Sequence, residues 1–519
     1  MTRLYAAALA ALLLVTAGER VAAQDVTLTS RDGAISLSGD LLGYDGEFYR
    51  IGTDYGELTV DGSGVTCAGP GCPDLETYVA RVTFSGAPVM GRVLLPALIE
   101  AFAIREGLNL QREIRPDEWV RYALSRATDG RVLGEFTFRL TSTDEGFADL
   151  LAAEADVVMA LREIRPRERK RAREAGLGDL AAPGRARVLA LDALLPVVAP
   201  ANTVRSIGLR ELARVIAGET DNWQALGGPD APIAVHLMGR RSGVGQVTAA
   251  RLLAPEGRHP SADAVRHDTL KKLLAAVTDD PFALGITMRS ETGTASPLAL
   301  RGSCGFALRA TRRAIKSEDY PVTAPLFLYL PARRLPKLGR AFIAYLDDPS
   351  AQMVIRRAGL VDRTPEEIGL DAQGHRLANA IARAGDEVSL QELQRMVARL
   401  MPLKRLTTTF RFEVGSTKLD AQSRANVRQL AQEIEMRLYD ARQLVLVGFS
   451  DGQGGAEANR RIAARRAQTV RDAVLAAAVT ADPARIALET DAFGEAMPMA
   501  CDDSAWGRQV NRRVEVWLR

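Results

Sequence analysis

An apolar run that stops on an aspartate, turns through glycines and re-enters as an Ala/Arg-rich helix leaves few folds open. Residues 444–449 read as a buried strand, Ser450-Asp451 ends it, and Gly452 to Gly455 form the turn. The helix that follows runs through Val470. Asp451 therefore sits on a loop at a strand's end. Asn459, Ala463 and Arg466 recur at i, i+4 and i+7 and share one helix face. A carboxylate and a guanidinium are thus offered from adjacent elements. They suit a ligand with both an ammonium, for Asp451, and a carboxylate, for the fork of Arg466. The plain alternative is an ion pair between Asp451 and Arg466.

Two further segments flank this stretch: Phe412-Glu413-Val414-Gly415-Ser416 with Leu419, and Asn511-Arg512-Arg513-Val514-Glu515-Val516. With Asp451, Asn459 and Arg466-Ala467 they resemble, in order, the OmpA-like peptidoglycan-binding domain. Phe449-Ser450 departs from the family's common His-Thr and leaves the ligand pair untouched. The resemblance implies that Asp451, Asn459 and Arg466 bind peptidoglycan, with the Asp and Arg holding the diaminopimelate of its stem peptide.

At 519 residues the chain exceeds one core, and two or three domains are expected. Its formal charge of +3 is spread through mixed-sign segments, with no basic block or aromatic ladder for nucleic acid. Residues 1–23 read as a secretory signal: Arg3, a short apolar run, then Val21-Ala22-Ala23 before Gln24. With a peptidoglycan-type domain attached, export implies a Gram-negative periplasm and a peptidoglycan-associated protein of the cell envelope. Cys67 and Cys72 flank a Gly-Pro-Gly turn and read as a local disulfide in that compartment. Cys304 and Cys501 fall in different domains, with their pairing open. His236, His259, His267 and His375 have no metal-ligand spacing, so neither metal nor cofactor is expected.

Residues 24–78 alternate polar and apolar residues between glycine turns, as a small β-unit does. Residues 79–365 alternate strands and helices: strands near 80–84, 136–140, 155–160 and 188–198, helices near 94–102, from Gly146, and over 207–217. Such alternation means α/β layers with ligands at loop-to-helix junctions. GFADLLAAEADVVMALREI, LDALLPVVAPANTV, LRELARVIAGETDNWQALGG, GRRSGVGQ, CGFALRATRRAIKSEDYPV and DDPSAQMVIRRAGLVD follow in order. Together they resemble a periplasmic substrate-binding protein of the phosphate type. That implies two α/β lobes closing on an anion by hinge motion, with ABC-transporter membrane subunits as partners.

The anion loops depart from that family. Ala87 and Val89 stand where it places hydroxyls, Asp144 and Glu145 follow Ser142-Thr143, and Val244 replaces a threonine. Carboxylates at a helix start repel an incoming anion. The usual aspartate is missing from Gly239-Arg240-Arg241, while Arg162 is retained. Each lost hydrogen bond to a charged group costs about 1.5–3 kcal/mol. Three readings follow: a different small anionic solute, larger than phosphate or organic, held by Thr143, Arg162, Arg240, Arg241 and Ser242; weak phosphate binding through backbone amides; or a vestigial cleft in an interaction scaffold. GRRSGVG has no serine-centred Gly-X-Ser-X-Gly, no loop ends in Gly-Lys-Ser/Thr, and no enzyme is read.

Residues 366–404 carry helical periodicity over 376–383 and 389–400, with Leu393, Val397 and Leu400 as an apolar stripe punctuated by Pro365, Gly374, Gly385 and Pro402. They read as a helical linker whose stripe packs on one neighbour. Residues 405–519 read as an α/β unit with strands at 406–412, 444–449, 486–489 and 514–518. Val427, Leu430, Ile434 and Leu438 line its first helix, and a loop over 497–506 borders the site. The expected architecture is therefore α/β: a two-lobed periplasmic-binding-protein fold, a C-terminal OmpA-like domain and a small N-terminal β-unit. The expected function is a solute-binding or sensing protein tethered to peptidoglycan. The alternative is a structural envelope protein whose first domain docks protein partners.

Overall fold

The computed structural model describes residues 25–114, 119–302, 307–382, 388–413, 415–482, 485 and 487–519. Residues 1–23, expected to be a secretory signal, and Cys304, Arg383, Gly385, Val414 and Ile486 lie outside them. The five strands from Asp25–Ser30 to Val65–Ala68 form an antiparallel sheet around Val26, Leu28, Tyr49 and Ile51. Cys67 and Cys72 form a disulfide at its end, with Cα atoms 5.8 Å apart. This sheet docks on the central domain through Asp45, whose carboxylate accepts from Arg334 at 2.9 Å and Arg340 at 2.8 Å.

Two lobes make the central domain, and one long strand joins them. Ala186–Val198 is 13 residues long. Its first part pairs antiparallel with Thr323–Tyr329, and its last five residues pair with Ala283–Met288. In the first lobe Val157–Ala160, Ala80–Gly86 and Val132–Leu140 lie parallel, and the hairpin Leu108–Ile114 and Trp119–Arg126 extends the edge. In the second lobe Ala234–Met238 lies parallel to Ala283–Met288 and Val265–His267. Strands 157–160 and 186–198 are buried almost throughout because helices cover both faces, which explains their unbroken apolar runs.

Two boundaries differ from the expected ones, each for a local reason. The helix placed at Gly146 begins at Thr143, because the Ser142 hydroxyl accepts from Glu145 N at 3.2 Å and caps it. The span 207–217 splits into a short strand, Ser206–Gly208, and a helix, Leu209–Ile216, because the Glu211 carboxylate accepts from Gly208 N at 2.8 Å.

The C-terminal sheet runs in the order Glu367–Ile368, Lys404–Arg411, Arg513–Leu518, Gln443–Phe449, Ala487–Gly494. Side chains alternate across it. Leu444 and Leu446 face the helices Ala421–Glu435 and Ala456–Ala477. Val445, Val447 and Phe449 face the other way, onto Leu393, Met396 and Leu400 of the helix Leu390–Leu400. The neighbour expected for the 389–400 stripe is therefore the second face of this sheet, and Met396 rather than Val397 is its buried centre. Leu438 does not join the buried face of the first helix. That helix ends at Glu435, Arg437 turns left-handed at φ 65°, and Leu438 is 58% exposed.

Candidate functional site

The strand Gln443–Phe449 and the helix Ala456–Ala477 lie close enough that only glycine fits at position 448. A Cβ there would collide with the Ala463 carbonyl. This contact sets Asp451, at the strand's end, beside the buried face carrying Asn459, Ala463 and Arg466. The helix and strand thus bring all three predicted ligand residues to one place.

Their pairing differs from the simple ion pair. The Asp451 carboxylate accepts from Arg512 Nη1 at 2.5 Å. Arg466 stacks its guanidinium 5.2 Å over the Phe412 ring, and its Nε is buried with no hydrogen-bond partner among the described residues. Burial and the Arg512 charge pull the Arg466 guanidinium below its ordinary value, against the opposing pull of Asp451. Asn459 donates to Glu495 Oε2 at 2.7 Å and to Gly454 O at 3.3 Å. Asp502 accepts from Gly452 N at 2.8 Å and from Asn511 Nδ2 at 2.7 Å. Its carboxyl is pushed up, mainly by burial, with Asp451 adding to the effect.

Arg512, Glu495 and Asp502 are the members that reading the sequence missed. Arg512 stands in the Asn511-Arg512-Arg513 segment, whose place in the resemblance is the signal that points to it. Asn511 is fully buried and accepts from Met499 N at 2.7 Å and Ala500 N at 3.0 Å, so it pins the 497–502 loop beside the site. The site therefore combines two guanidiniums with carboxylates at Asp451, Glu495 and Asp502. A compact ligand bearing both charge signs finds complementary groups on both sides.

The central cleft is built differently. Arg162 spans it and is fully engaged. Its guanidinium donates to both Glu168 oxygens at 2.6 and 2.9 Å, to Asp144, and from Nε to Gln246 Oε1 at 3.2 Å. Gln246, on the second lobe, donates to Asp144 Oδ2 at 2.7 Å. Thr143 is buried and its hydroxyl accepts from Leu161 N at 3.2 Å. The Ser242 hydroxyl donates to Gly239 O at 2.7 Å and accepts from Gly245 N at 3.0 Å. Thr143, Arg162 and Ser242 are thus brought near one another, whereas Arg240 and Arg241 stand exposed. Burial opposes the Asp144 charge, but Arg162, Arg165 and Gln246 hold its carboxyl below the usual range.

Among the described residues no cluster of three His, Cys, Asp or Glu side chains could hold a metal ion. No described helix is long and apolar enough to cross a membrane. Cys501 is disulfide-bonded.

Comparison with known proteins follows the same division. A model described as a PBP superfamily domain matches residues 82–349, and the OmpA family model matches 411–512. The probable lipoprotein YiaD of Escherichia coli (strain K12) is 32% identical over 83 residues, 16% of this chain and 36% of that protein. Outer membrane porin F of Pseudomonas aeruginosa is 31% identical over 111 residues, 21% of this chain and 30% of that protein. The chain thus spans only about a third of the length of these relatives. Among solved structures, a putative phosphate ABC transporter substrate-binding protein with bound phosphate from Clostridium perfringens is 20% identical. It covers 54% of this chain and 99% of its own, with a TM-score of 0.42.

Proposed function

The chain belongs to the PBP superfamily through residues 82–349, and from this premise we propose that it is a binding protein of the cell envelope held on peptidoglycan by its C-terminal domain. The observation that carries the anchoring is the Nε of Arg466, which has no partner among the described residues and is buried beside the Arg512–Asp451 pair. A buried donor without an acceptor is costly, and a ligand carboxylate relieves it. Diaminopimelate in the stem peptide supplies that carboxylate for Arg466 and an ammonium for Asp451. Asn459 and Glu495 border the same place. In this reading the protein resides in the Gram-negative periplasm, and the central domain handles an anionic solute larger than phosphate, with ABC-transporter subunits as the partners that family membership suggests.

The test is co-sedimentation with purified peptidoglycan sacculi. The wild-type chain is expected in the pellet, and Asp451→Asn and Arg466→Ala in the supernatant. Retention of both variants would sink the anchoring reading.

A second reading of the central domain, as an interaction scaffold, is favoured by the bridge among Asp144, Arg162 and Gln246, which joins the two lobes through direct side-chain hydrogen bonds.

A further inference from the structure

We propose that Asp144 is the specificity-determining residue of the central cleft: its side chain occupies one hydrogen-bonding edge of the Arg162 guanidinium as a built-in ligand and excludes small oxyanions such as phosphate. The inference rests on reading residues 82–349 as a two-lobed binding domain.

Three observations converge on it. The first is occupancy. Every nitrogen of the Arg162 guanidinium already has an acceptor: Asp144, Glu168, the Glu163 carbonyl or Gln246. One face of the guanidinium is taken as well, with its carbon 5.4 Å from the centre of the Phe147 ring.

The second is charge. Arg162 and Arg165 face Asp144 and Glu168, two positive charges against two negative. The cluster is balanced, so it offers no surplus charge to an arriving anion. Removing Asp144 alone leaves Arg162 and Arg165 against the single carboxylate of Glu168, and frees a donor of Arg162, whose side chain is only 12% exposed and where a charge-assisted hydrogen bond is strong.

The third is reach. Asp144 heads a helix of the first lobe, and Gln246 belongs to the second. Gln246 donates to Asp144 and accepts from Arg162, so a single carboxylate ties both lobes as a bound ligand otherwise would. The second lobe also presses tightly here, since a Cβ on Gly243 would lie 2.9 Å from Leu161 and 3.2 Å from the Thr143 hydroxyl.

The experiment is calorimetric unfolding of the full chain, titrated with inorganic phosphate. The wild type is expected to show no phosphate-dependent change in Tm. Asp144→Ala is expected to gain a saturable upward shift of a few degrees, absent from the Asp144→Ala/Arg162→Ala double variant. Asp144→Ser, whose circular dichroism is checked alongside, is read the same way if the alanine variant does not fold. A wild-type shift as large as the variant's would overturn the role of Asp144 while supporting oxyanion binding. A folded Asp144 variant without any shift would overturn the proposal outright. Sacculus binding is scored separately, so failure of the anchoring reading leaves this result standing.

Discussion

Gly448 shows how much one missing methyl decides. Its hydrogen faces the Ala463 carbonyl, and that contact brings the Arg466 helix against the Asp451 strand. Gly448→Ala is expected to cost about 1–3 kcal/mol in urea unfolding, because the helix must move away from the sheet. Glu318 decides a pH dependence. Burial, aided by the Asp420 charge, pushes its carboxyl up to about 8, against Arg411 and Arg251. The folded state keeps a proton that the unfolded chain releases near 4.5. Stability from this group is therefore complete below pH ~4.5 and is lost as pH rises towards ~8, with a limiting slope of about 1.36 kcal/mol per pH unit. Glu318→Gln mimics the protonated form and should flatten that part of the profile, as measured by urea unfolding at a series of pH values. A profile unchanged by the substitution would refute this assignment.

At the scale of elements, the helices Gly374–Ala382 and Leu390–Leu400 are the least expected components of the C-terminal unit. Their periodicity made them legible as helices, yet nothing local said what they cover. They close the sheet face formed by Val445, Val447, Phe449 and Trp517. The unbroken apolar run of 444–449 already required two covered faces, which is the physical link between the two segments. Met396 is fully buried at the centre of this contact. Met396→Ala is expected to cost about 2–5 kcal/mol, seen as a lower Tm, with sacculus binding retained at low temperature. The Leu390–Leu400 helix also reaches the sheet edge electrostatically, through Arg395, which donates to Asp491 at 3.0 Å and to Ala492 O at 2.8 Å.

At the scale of the whole molecule, the C-terminal unit is not hung from the central domain by a spacer but built into it. Arg405 forks onto Asp319 of the central domain at 2.7 and 2.9 Å, deep in the interface. Burial works against the charge of neighbouring Glu515, but Arg376, Arg405 and Arg513 hold its carboxyl below the usual range. Ala421, Ala425 and Trp506 pack into the central core. Arg428 donates to Ala186 O at 3.0 Å, at the start of the strand that joins the two lobes. Any hinge motion of that strand is thus felt by the domain proposed to hold the cell wall. Breaking a buried ion pair by removing one partner typically costs 3–5 kcal/mol. Arg405→Ala is therefore expected to split the calorimetric unfolding of the full chain into two transitions, and a single unshifted transition would argue against the shared interface.

The sequence by itself determined the α/β alternation, the Cys67–Cys72 bridge and the shared helix face of Asn459 and Arg466 beside the strand end at Asp451. Each of these is a local matter: a period of two or of 3.6, a turn, or residues on one face of one helix. Only the tertiary structure decided who pairs with whom. Asp451 takes Arg512 from 61 residues away, Arg466 keeps a donor unmet among the described residues, and Asp144 takes Arg162 and Gln246 from separate elements. Such choices depend on distances between elements far apart in the chain. Those distances come from whole-sheet packing, to which no short stretch of sequence has access.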